Sequence, residues 1–503
     1  MMCSVRRKVS VGVGVGVGAA VLAGAAVGPA AWGQPCAAVF SYAGASAAPP
    51  NPAAVAAGDF NGDGLPDLVV SHGAGSSVLH GGGAQGPGTF QPAVLAADQS
   101  FTAYAVGDFD GNGRMDFAGV TGATLIVALA QPGGGFVRNG YSAGGTATGI
   151  AAADFTLDGR LDLAISTTSG VSLLEGTNVG GAGSFTAAPM LAAGASNAVA
   201  AGDFSGDGRP DLAVGRTGEV RVYYAGPGLA FTMGPATGAF GGAHRITVMD
   251  LNGDGRLDLI AARQNSAPWV AVSTQTSAGG LTTTFESSGT YAGVVAMIPG
   301  DFNGNGVMDV LLHANGATYV WPGTGTGLGT PALVNNSVAY GGLAVADFNL
   351  DGKPDWAGSV GNQNQVRGFV NTTPRGLTLV QQPPARTFIS EGQPVSIAVQ
   401  ATGDGLTFQW RRDGVDLAPG GDHGFTGVNA ATLQSSSARL SDSGAIFECV
   451  IAGPCGGQTT RAAVLVVNPP LPTCGSQDFN GDGDFGTDAD IEAFFRVLGG
   501  GSC

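Results

Sequence analysis

One short pattern repeats seven times along this chain and constrains its fold more than any other feature. Its first copy runs from Gly58 to Asp67 and is followed by the apolar residues Leu68–Val70. Side-chain oxygens stand at the first, third, fifth and ninth positions of the loop, counted from Asp59, with glycines between them. Calcium binds oxygen ligands spaced in this way. The pattern therefore predicts a calcium loop that leads into a β-strand.

The seven copies return at a regular interval. Steps of 49, 46, 49, 47, 51 and 46 residues separate their first residues, which are Asp59, Asp108, Asp154, Asp203, Asp250, Asp301 and Asp347. Each loop is followed by short β-rich runs, such as 163–165 and 220–224, with Gly-rich turns between them. Four short strands in a unit of about 45 residues are typical of a β-propeller blade. We therefore expect an all-β fold that begins with a seven-bladed propeller.

The two ends of the repeat array predict how the ring closes. Residues 37–42 and 53–57 precede the first loop and should supply the last two strands of a blade. Residues 356–360 and 365–371 follow the seventh loop and should supply the first two strands. Pairing these halves would complete one blade and remove the exposed sheet edges.

The copies resemble the FG-GAP or VCBS repeats of bacterial surface proteins and of the integrin α-subunit propeller, over residues 37–371. This resemblance implies calcium bound in hairpin loops of the blades. The implied ligands are Asp59, Asn61, Asp63 and Asp67; Asp108, Asp110, Asn112 and Asp116; Asp154, Thr156, Asp158 and Asp162; Asp203, Ser205, Asp207 and Asp211; Asp250, Asn252, Asp254 and Asp258; Asp301, Asn303, Asn305 and Asp309; and Asp347, Asn349, Asp351 and Asp355.

The seven loops are not equivalent in sequence. The sixth holds only two carboxylates, and calcium affinity follows the charge of the ligands, so we expect weaker binding there. The third and seventh loops have Leu157 and Leu350 where the others have glycine, which should alter the bend of the backbone. Asp-Asn-Gly runs also form plain turns, but seven copies with aspartate at the first and ninth positions favour calcium.

The charge of the chain follows from these loops. The net charge is −16, and the aspartates of the seven loops and of the last thirty residues make up 25 of the 37 acidic residues. Calcium would neutralise much of this charge. Nucleic acid is an improbable partner because clusters of Lys and Arg, which phosphates require, are absent from the sequence.

The N-terminus has the pattern of an export signal. A basic segment, Arg6-Arg7-Lys8, precedes the uncharged apolar run Val9–Val27, and small residues flank Trp32. We predict a signal peptide over residues 1–33, an extracellular or cell-surface location, and no membrane span once the signal is removed. Retention of the apolar run as an anchor is the alternative, although its alternating Val-Gly composition makes a weak membrane helix.

Two fragments suggest an enzyme, and neither has the context that catalysis requires. Residues 140–144 match the Gly-x-Ser-x-Gly nucleophile elbow around Ser142, and residues 80–83 match an oxyanion-hole motif of lipases. An elbow needs a helix after the serine, whereas Ser142 lies in a Gly-rich connector that leads into the third loop. The histidines show no metal-ligand spacing. We therefore predict no catalytic residue and no cofactor other than calcium.

A different pattern begins after a linker at residues 372–378. Alternating strand residues surround Trp410, and the segment Leu440–Gly444 precedes Cys449. Residues 379–468 thereby resemble a bacterial immunoglobulin-like domain. Val399 stands where the partner cysteine would be, so the inter-sheet disulfide is absent, and Cys449 could instead pair with Cys455 across a hairpin. The Arg-Asp-Gly sequence at 412–414 should be a turn and not an integrin-binding tripeptide.

The chain ends, after a linker at residues 469–473, in a module over residues 474–503. It resembles half of a dockerin or EF-hand, with a loop followed by apolar residues at helical spacing. The implied calcium ligands are Asp478, Asn480, Asp482, Asp484 and Asp490. Cys474 and Cys503 bracket the module and could close it with a disulfide, which leaves Cys36 without a predicted partner. A folded cap and a docking or sorting tag both remain open for this tail.

Together these patterns predict an exported, monomeric, calcium-binding protein that mediates adhesion or binds an extracellular protein or carbohydrate through its propeller. A carbohydrate-active enzyme on the same scaffold, acting as a polysaccharide lyase or hydrolase, is the first alternative. A structural spacer without a ligand is the second.

Overall fold

A computed structural model describes residues 36–82, 86, 88–177, 182–191, 194–237, 242–263, 270–276, 280–286, 293–420, 424–469, 491, 492 and 496. The described residues form two compact units, one that ends at Arg375 and one that begins at Gly376. Within the described ranges, no helix has the length and apolar character that a membrane crossing requires.

The described part of the first unit consists of seven four-stranded antiparallel sheets. In chain order its strands are β1 (Phe40–Ala47), β2 (Val55–Gly58), β3 (Asp67–His72), β4 (Gly75–Leu79), β5 (Val94–Ala97), β6 (Ala103–Gly107), β7 (Asp116–Thr121), β8 (Thr124–Ala130), β9 (Phe136–Ser142), β10 (Ala147–Ala153), β11 (Asp162–Thr167), β12 (Gly170–Thr177), β13 (Ser184–Ala187), β14 (Ser196–Gly202), β15 (Asp211–Arg216), β16 (Val220–Ala225), β17 (Phe231–Ala236), β18 (Ala243–Met249), β19 (Asp258–Arg263), β20 (Val270–Gln275), β21 (Leu281–Glu286), β22 (Ala296–Gly300), β23 (Asp309–Ala314), β24 (Ala317–Trp321), β25 (Ala332–Asn335), β26 (Gly342–Ala346), β27 (Asp355–Val360) and β28 (Gln365–Asn371).

Each sheet is one blade of a propeller. Blades 1 to 6 take four consecutive strands each, from β2–β5 for blade 1 to β22–β25 for blade 6. The first strands of neighbouring blades contact one another in cyclic order, and β26 of blade 7 contacts β2 of blade 1. Seven buried apolar clusters fill the seven junctions between neighbouring blades, including the junction of blades 7 and 1. The expectation of an all-β propeller-like unit is confirmed.

Ring closure differs in detail from the sequence-based prediction. Blade 7 combines three C-terminal strands, β26 to β28, with the single N-terminal strand β1. β1 pairs antiparallel with β28, so that Phe40 lies opposite Asn371. The expected two-plus-two division is wrong because each loop lies after the first strand of its blade. Residues 53–57 were assigned to the closing blade from the sequence, but they lie at the start of blade 1, whose first strand is β2 (Val55–Gly58).

The second residue of each loop is apolar because it packs in the junction between two blades. Phe60 of blade 1 is 1% exposed and packs in the cluster that joins blade 1 to blade 2. Phe109, Phe155, Phe204, Leu251, Phe302 and Phe348 occupy the equivalent junctions around the ring. Gly58 precedes the first loop because a Cβ there would lie 2.8 Å from Val106 in the next blade. The repeated Gly-Asp-Phe sequence is thus a packing signature as well as a loop signature.

The second unit is a smaller β-sandwich. Its strands are β29 (Thr378–Gln381), β30 (Arg386–Ser390), β31 (Val395–Ala398), β32 (Gln400–Thr402), β33 (Thr407–Arg412), β34 (Val415–Asp416), β35 (Phe425–Thr426), β36 (Thr432–Ser435), β37 (Ile446–Gly453), β38 (Gly456–Thr459) and β39 (Ala463–Asn468). One sheet has the order β30-β39-β37-β33-β34, with β38 paired to β37, and the opposing sheet has the order β31-β36-β35. The core Trp410 is fully buried and donates from Nε1 to the carbonyl of Ala430. The immunoglobulin-like expectation is confirmed.

The cysteine prediction for this unit is wrong. Cys449 is a free thiol, fully buried opposite Trp410, and burial raises the pKa of this thiol to about 11. Cys455 lies beyond Gly453 in the β37–β38 turn and is disulfide-bonded, but not to Cys449. The side chain of Cys449 points into the core from β37, whereas Cys455 lies in the turn beyond the end of that strand, so the two cysteines are not brought together. Cys36, for which the sequence suggested no partner, is also disulfide-bonded.

The Arg-Asp-Gly sequence is a turn, as expected. Asp413 and Gly414 connect β33 to β34 with φ values of 51° and 81°. The guanidinium of Arg412 is bound to the buried carboxylate of Asp442 at 2.7 Å. The arginine of this tripeptide therefore serves the sandwich itself.

Two predicted segments lie outside the described residues. The signal sequence at residues 1–33 is one, and the tail ligands with both of its cysteines are the other. They comprise Asp478, Asn480, Asp482, Asp484, Asp490, Cys474 and Cys503. Of the predicted tail helix, residues 491, 492 and 496 are described, and all three are helical.

Candidate metal centres in the seven loops

The seven loops take the same place in every blade, between its first and second strands. We number them loop 1 to loop 7, after their blades: residues 59–67, 108–116, 154–162, 203–211, 250–258, 301–309 and 347–355. The ninth residue of each loop is the first residue of the second strand. Because strand direction repeats from blade to blade, all seven loops lie at one end of the propeller.

The aspartate at the first position folds each loop around its own carboxylate. In loop 2, Oδ1 of Asp108 accepts a hydrogen bond from the backbone N–H of Asn112 at 3.0 Å, and Oδ2 accepts one from Gly113 at 2.8 Å. The equivalent two bonds occur in all seven loops, at 2.7–3.2 Å. A carboxylate that accepts several backbone N–H groups is typical of a turn that is preformed for a cation.

Glycine at the sixth position allows this turn. Gly64 and its six equivalents have φ between 80° and 87°, in the left-handed region that residues with a Cβ avoid. The fourth position also has positive φ in every loop, including Leu157 at 60° and Leu350 at 59°. The expectation that these leucines alter the bend is therefore wrong: the bend is kept. A left-handed conformation costs a non-glycine residue about 1–2 kcal/mol.

The aspartate at the ninth position ties each loop to the third strand of its blade. In blade 2, Oδ2 of Asp116 accepts from the N–H of Phe109 at 2.8 Å, while Oδ1 accepts from the N–H of Ala130 at 2.7 Å. All seven ninth-position side chains are fully buried and make the same two bonds, at 2.6–3.0 Å. These residues, predicted only as metal ligands, also hold the blade together.

Burial destabilises the ionised form of these ninth-position carboxylates. Desolvation raises the pKa of Asp116, Asp309 and Asp355 to about 7, against hydrogen bonds from the backbone that lower it. It likewise raises the pKa of Asp162, Asp211 and Asp258 to about 6. The other loop carboxylates raise these pKa values further. A bound cation would stabilise the ionised form, because an opposite charge lowers a carboxyl pKa.

Loop 2 fits a metal ion best. Carboxylate oxygens of Asp108, Asp110 and Asp116 all lie within 4.8 Å of one another. In the part of the chain that the structure describes, no other group of three acidic, histidine or cysteine side chains is this compact. Asp116 is fully buried and the other two are half-buried. With Asn112, these residues form the oxygen donor set that calcium prefers.

In several other loops a side-chain nitrogen already contacts a carboxylate. Arg160 pairs with Asp158 in loop 3. Arg256 lies 3.3 Å from Asp254 in loop 5. In such a pair the arginine neutralises a carboxylate that would otherwise attract a metal ion.

Loop 6 differs from loop 2 in the contact made by the side chain at its third position. Asn303 is 2% exposed, and its amide nitrogen donates to Oδ1 of Asp309 at 3.1 Å. A donor is thereby turned toward the carboxylate that would bind the metal. That loop 6 is the weaker site stays a prediction.

Sequence reasoning missed a histidine, His80, that contacts loop 1 from outside it. Nδ1 of His80 lies 3.1 Å from Oδ2 of Asp67 and 3.3 Å from the amide nitrogen of Asn61. His80 stands 13 residues after Asp67, directly before Gly81, whose N–H binds the other oxygen of Asp67. Only the pairing of the third strand with the loop places it there, and no spacing rule for metal ligands would have selected it.

Two amide side chains that the sequence analysis overlooked connect loops of neighbouring blades. Gln275 of blade 5 donates from Nε2 to the carbonyl of Phe204 in loop 4 at 2.6 Å. Asn371 of blade 7 makes the same contact with Phe302 in loop 6 at 2.9 Å. At these two junctions the loop end of the ring is held by polar contacts in addition to apolar packing.

The two enzyme-like fragments lie in different blades, residues 140–144 at the end of β9 in blade 2 and His80 after β4 in blade 1. Ser142 is the last residue of β9, is exposed, and accepts a hydrogen bond from the N–H of Gly144 at 3.2 Å. His80 contacts Asp67, as described above, and no hydrogen bond links it to Ser142 within the described ranges.

Comparison with known families agrees with this architecture. The FG-GAP-like repeat matches residues 59–119, 108–165, 154–214, 203–261, 250–312 and 301–357, and an immunoglobulin I-set domain matches residues 378–466. The six repeat matches together span more than half of the chain. The protein therefore belongs to the FG-GAP-like repeat family. No curated protein sequence matches the chain.

Solved structures resemble the two units separately. An Agrocybe aegerita lectin, whose structure concerns specific recognition of non-reducing terminal N-acetylglucosamine, shares 17% identity over 66% of this chain and 91% of its own, with a TM-score of 0.43. Domain D1 of Duf (Kirre) shares 21% identity over 19% of this chain and 99% of its own, with a TM-score of 0.17. An immunoglobulin domain of the titin M10 and obscurin-like 1 complex shares 19% identity over 19% of this chain and 96% of its own, with a TM-score of 0.17. At these values none of the three bears on what the protein binds.

Proposed function

We propose that this protein is a calcium-stabilised extracellular or cell-surface protein that binds a protein or carbohydrate ligand through its propeller and catalyses no reaction. The combination of a propeller and an immunoglobulin-like unit is that of a ligand-binding or adhesion-type multidomain protein. Both of its units are rigid β-scaffolds, which commonly present binding loops and faces.

The observation that carries this proposal is the use of the loop carboxylates. Each ninth-position aspartate is fully buried and accepts backbone hydrogen bonds from its own loop and from the third strand. Carboxylates occupied in this way are unsuited to general acid or base catalysis, which requires access to a substrate proton. The acidic loops therefore support the scaffold, and ligand binding falls to other surfaces.

Calcium is the cation that the donor set of loop 2 supports. Asp108, Asp110, Asn112 and Asp116 would hold it, and the ion would neutralise a carboxylate cluster that lacks a side-chain cation among the described residues. We expect calcium to raise the melting temperature of the full chain and a chelator to lower it, because an ion bound only by the folded state stabilises that state. Equal melting temperatures with and without calcium would contradict the assignment.

Ligand binding is tested on the full chain with arrays of glycans and extracellular matrix proteins, in calcium and in chelator. We expect binding to at least one class, reduced in chelator. Absence of all binding would favour the structural spacer, whereas turnover of a polysaccharide by the purified protein would establish the enzyme alternative on the same scaffold.

Export rests on the sequence of residues 1–33, and cell fractionation tests it. An intracellular, uncleaved protein would contradict this part of the proposal. The integrin-like character of the propeller and the dockerin or EF-hand character of residues 474–503 stay predictions. A chain that lacks residues 474–503 should keep its ligand but lose attachment to the cell if the tail is a docking or sorting tag.

A further inference from the structure

A row of aromatic rings crosses blade 7 from its core to its surface. Trp356 on β27, Phe369 on β28 and Tyr42 on β1 lie opposite one another in the sheet register. The rings of Trp356 and Phe369 stack with centroids 3.9 Å apart, and those of Phe369 and Tyr42 lie 5.5 Å apart. Trp356 is fully buried, whereas Tyr42 is 56% exposed. The buried rings thus hold one exposed ring in a fixed position.

A cation lies beside this exposed ring. Cζ of Arg367 is 6.0 Å from the centroid of the Tyr42 ring, and Nη2 of Arg367 donates to Oε1 of Gln363 at 2.6 Å. Within the described ranges no carboxylate pairs with Arg367, although the chain carries a net charge of −16. Arginine donates two parallel hydrogen bonds to a carboxylate, so this side chain is suited to an acidic group from outside.

Two polar atoms, one on this arginine and one on the neighbouring Tyr340, are buried without a well-formed hydrogen bond. Tyr340 is 3% exposed, and its ring lies against Gly358, where a Cβ would be 2.4 Å from Cδ1 of the tyrosine. Neither the Tyr340 hydroxyl nor Nε of Arg367 makes a hydrogen bond of normal geometry among the described residues, although the side chains of Arg367 and Ser337 lie close to the hydroxyl. Burial raises the pKa of Tyr340 to about 12, and the charge of Arg367 together with weak hydrogen bonding to the side chains of Arg367 and Ser337 lowers it. Buried polar groups in native proteins are normally paired, so these atoms need an explanation.

Tyr42 also differs from the exposed residues on other blades. Large exposed side chains on the outermost strands elsewhere are aliphatic or thioether groups, such as Leu95 on β5, Met233 on β17 and Leu333 on β25. These can cover an edge but offer no flat ring. Tyr42 is the one aromatic residue among the large exposed apolar side chains of the described propeller.

We propose that Tyr42, Arg367 and Tyr340 form a subsite for one pyranose sugar that carries a carboxylate. The flat exposed ring of Tyr42 packs against the apolar face of the sugar, and Arg367 binds the carboxylate through its guanidinium. The Tyr340 hydroxyl, which lies beside Arg367, then donates a well-formed hydrogen bond to a sugar oxygen. An aromatic surface with a few polar groups beside it is the usual composition of a small-ligand site. This inference rests on the proposed function and names a ligand class for it.

The subsite belongs to the closed ring. Tyr42 comes from the N-terminal strand β1, while Arg367 and Tyr340 come from the C-terminal part of the same blade. Strand pairing of β1 with β28 is therefore required to bring the three side chains together.

Calorimetric titration of the full chain with an oligosaccharide that ends in glucuronic acid tests the subsite, with its glucose-ended counterpart as the neutral probe. We expect Tyr42→Ala to weaken binding of the acidic probe about tenfold or more, since central contacts of a binding site commonly contribute this much. Leu95→Ala is the matched control, because it removes a similarly exposed side chain from an outermost strand and should leave affinity unchanged. Equal binding by Tyr42→Ala and the unaltered chain would overturn the proposal.

Two further variants separate binding from folding. Arg367→Gln should remove most of the preference for the acidic probe, and an unchanged preference would overturn the role of the carboxylate. Tyr340→Phe should weaken binding several-fold while the melting temperature stays nearly the same, because the buried hydroxyl makes no hydrogen bond of normal geometry among the described residues. A purely structural tyrosine would instead leave the affinity unchanged.

The outcome also separates this subsite from the proposed function. If glycan or matrix-protein binding on the arrays persists in Tyr42→Ala and Arg367→Gln, the protein is a binding protein and the subsite is wrong. Array binding of an acidic peptide or protein that depends on Tyr42, with neither sugar probe bound, would likewise overturn the sugar assignment.

Discussion

Loops 2 and 3 lie in neighbouring blades and have the same backbone, yet their side chains prepare them for different chemistry. Loop 2 brings Asp108, Asp110 and Asp116 together within 4.8 Å. Loop 3 has Thr156 in place of the second of these carboxylates. In loop 3 the fifth-position carboxylate, Asp158, is also paired with Arg160.

The difference assigns separate tasks to the positions of the loop. The first and ninth aspartates and the sixth glycine make the same backbone contacts in both loops, so they build the blade. Across the seven loops the third, fifth and seventh positions vary, and their side chains decide how much negative charge is left for a cation. Fold and metal affinity can therefore change independently along the array.

Replacing the ninth-position aspartate tests its role in building the blade, which loops 2 and 3 have in common. This replacement should have the largest effect on stability. In the unaltered chain a backbone N–H of the third strand donates to a carboxylate oxygen of Asp116 or Asp162. Asp116→Asn and Asp162→Asn each replace one carboxylate oxygen by an amide NH₂ group, so that one backbone N–H loses its acceptor. We expect each to reduce the free energy of unfolding by about 2–3 kcal/mol in chelator, the cost of a buried unpaired donor. Denaturant unfolding measures it. In calcium the loss should be greater for Asp116→Asn, and no loss in chelator would show that these residues act only through the metal.

Exchanging the third position tests the division of tasks. Thr156→Asp gives loop 3 a fourth carboxylate, at its third position, and Asp110→Asn takes one of the three from loop 2. We expect calcium affinity at the altered loop to rise or fall about tenfold, since affinity follows ligand charge. Calcium titration by calorimetry measures the change, and stability in chelator should stay within about 0.5 kcal/mol. If the two variants change affinity in the same direction, loop charge is not the determinant.

The sequence predicted the blades because their signals are local. Asp59 and Asp67 fix a turn and the start of a strand within one short segment, and the interval between copies then gives the number of blades. Contacts between distant segments were not accessible in this way. His80 reaches Asp67 only through the pairing of strands, and Gln275 reaches Phe204 only through the packing of two blades.

Three predictions from the sequence were wrong, each for a physical reason. The strand division at ring closure was wrong because a repeat read from loop to loop begins at the second strand, whereas the blade begins at the first. The Cys449 pairing was wrong because closeness in sequence says nothing about which face of a strand a side chain occupies. Leu157 was expected to alter its turn, but the hydrogen bonds of Asp154 hold the backbone in place and the leucine adopts the strained conformation.

Removing the internal cation of loop 3 should have a moderate effect. Arg160→Gln frees the carboxylate of Asp158, and we expect calcium affinity at loop 3 to rise, but less than fivefold, since partly exposed ion pairs contribute about 0.2–1 kcal/mol. Arg114→Gln in loop 2 is the matched control, because no ion pair to a loop carboxylate is found there among the described residues. Calcium titration at low and moderate salt measures both. A similar rise for the two variants would indicate a general charge effect at this end of the propeller.

The smallest expected effect concerns the backbone at the fourth position. Leu157 has φ of 60° and is 47% exposed, so Leu157→Gly relieves strain and removes little packing. Relief of about 1–2 kcal/mol is partly offset by the greater freedom of glycine in the unfolded chain, about 0.5–1 kcal/mol, which leaves a gain of roughly 0.5 kcal/mol. Gly111→Leu makes the opposite change in loop 2, where φ is 75°, and should lose a similar amount. Thermal unfolding in chelator measures both variants. A loss of stability in Leu157→Gly would mean that the leucine makes contacts worth more than the strain, and that the two loops differ in packing as well as in charge.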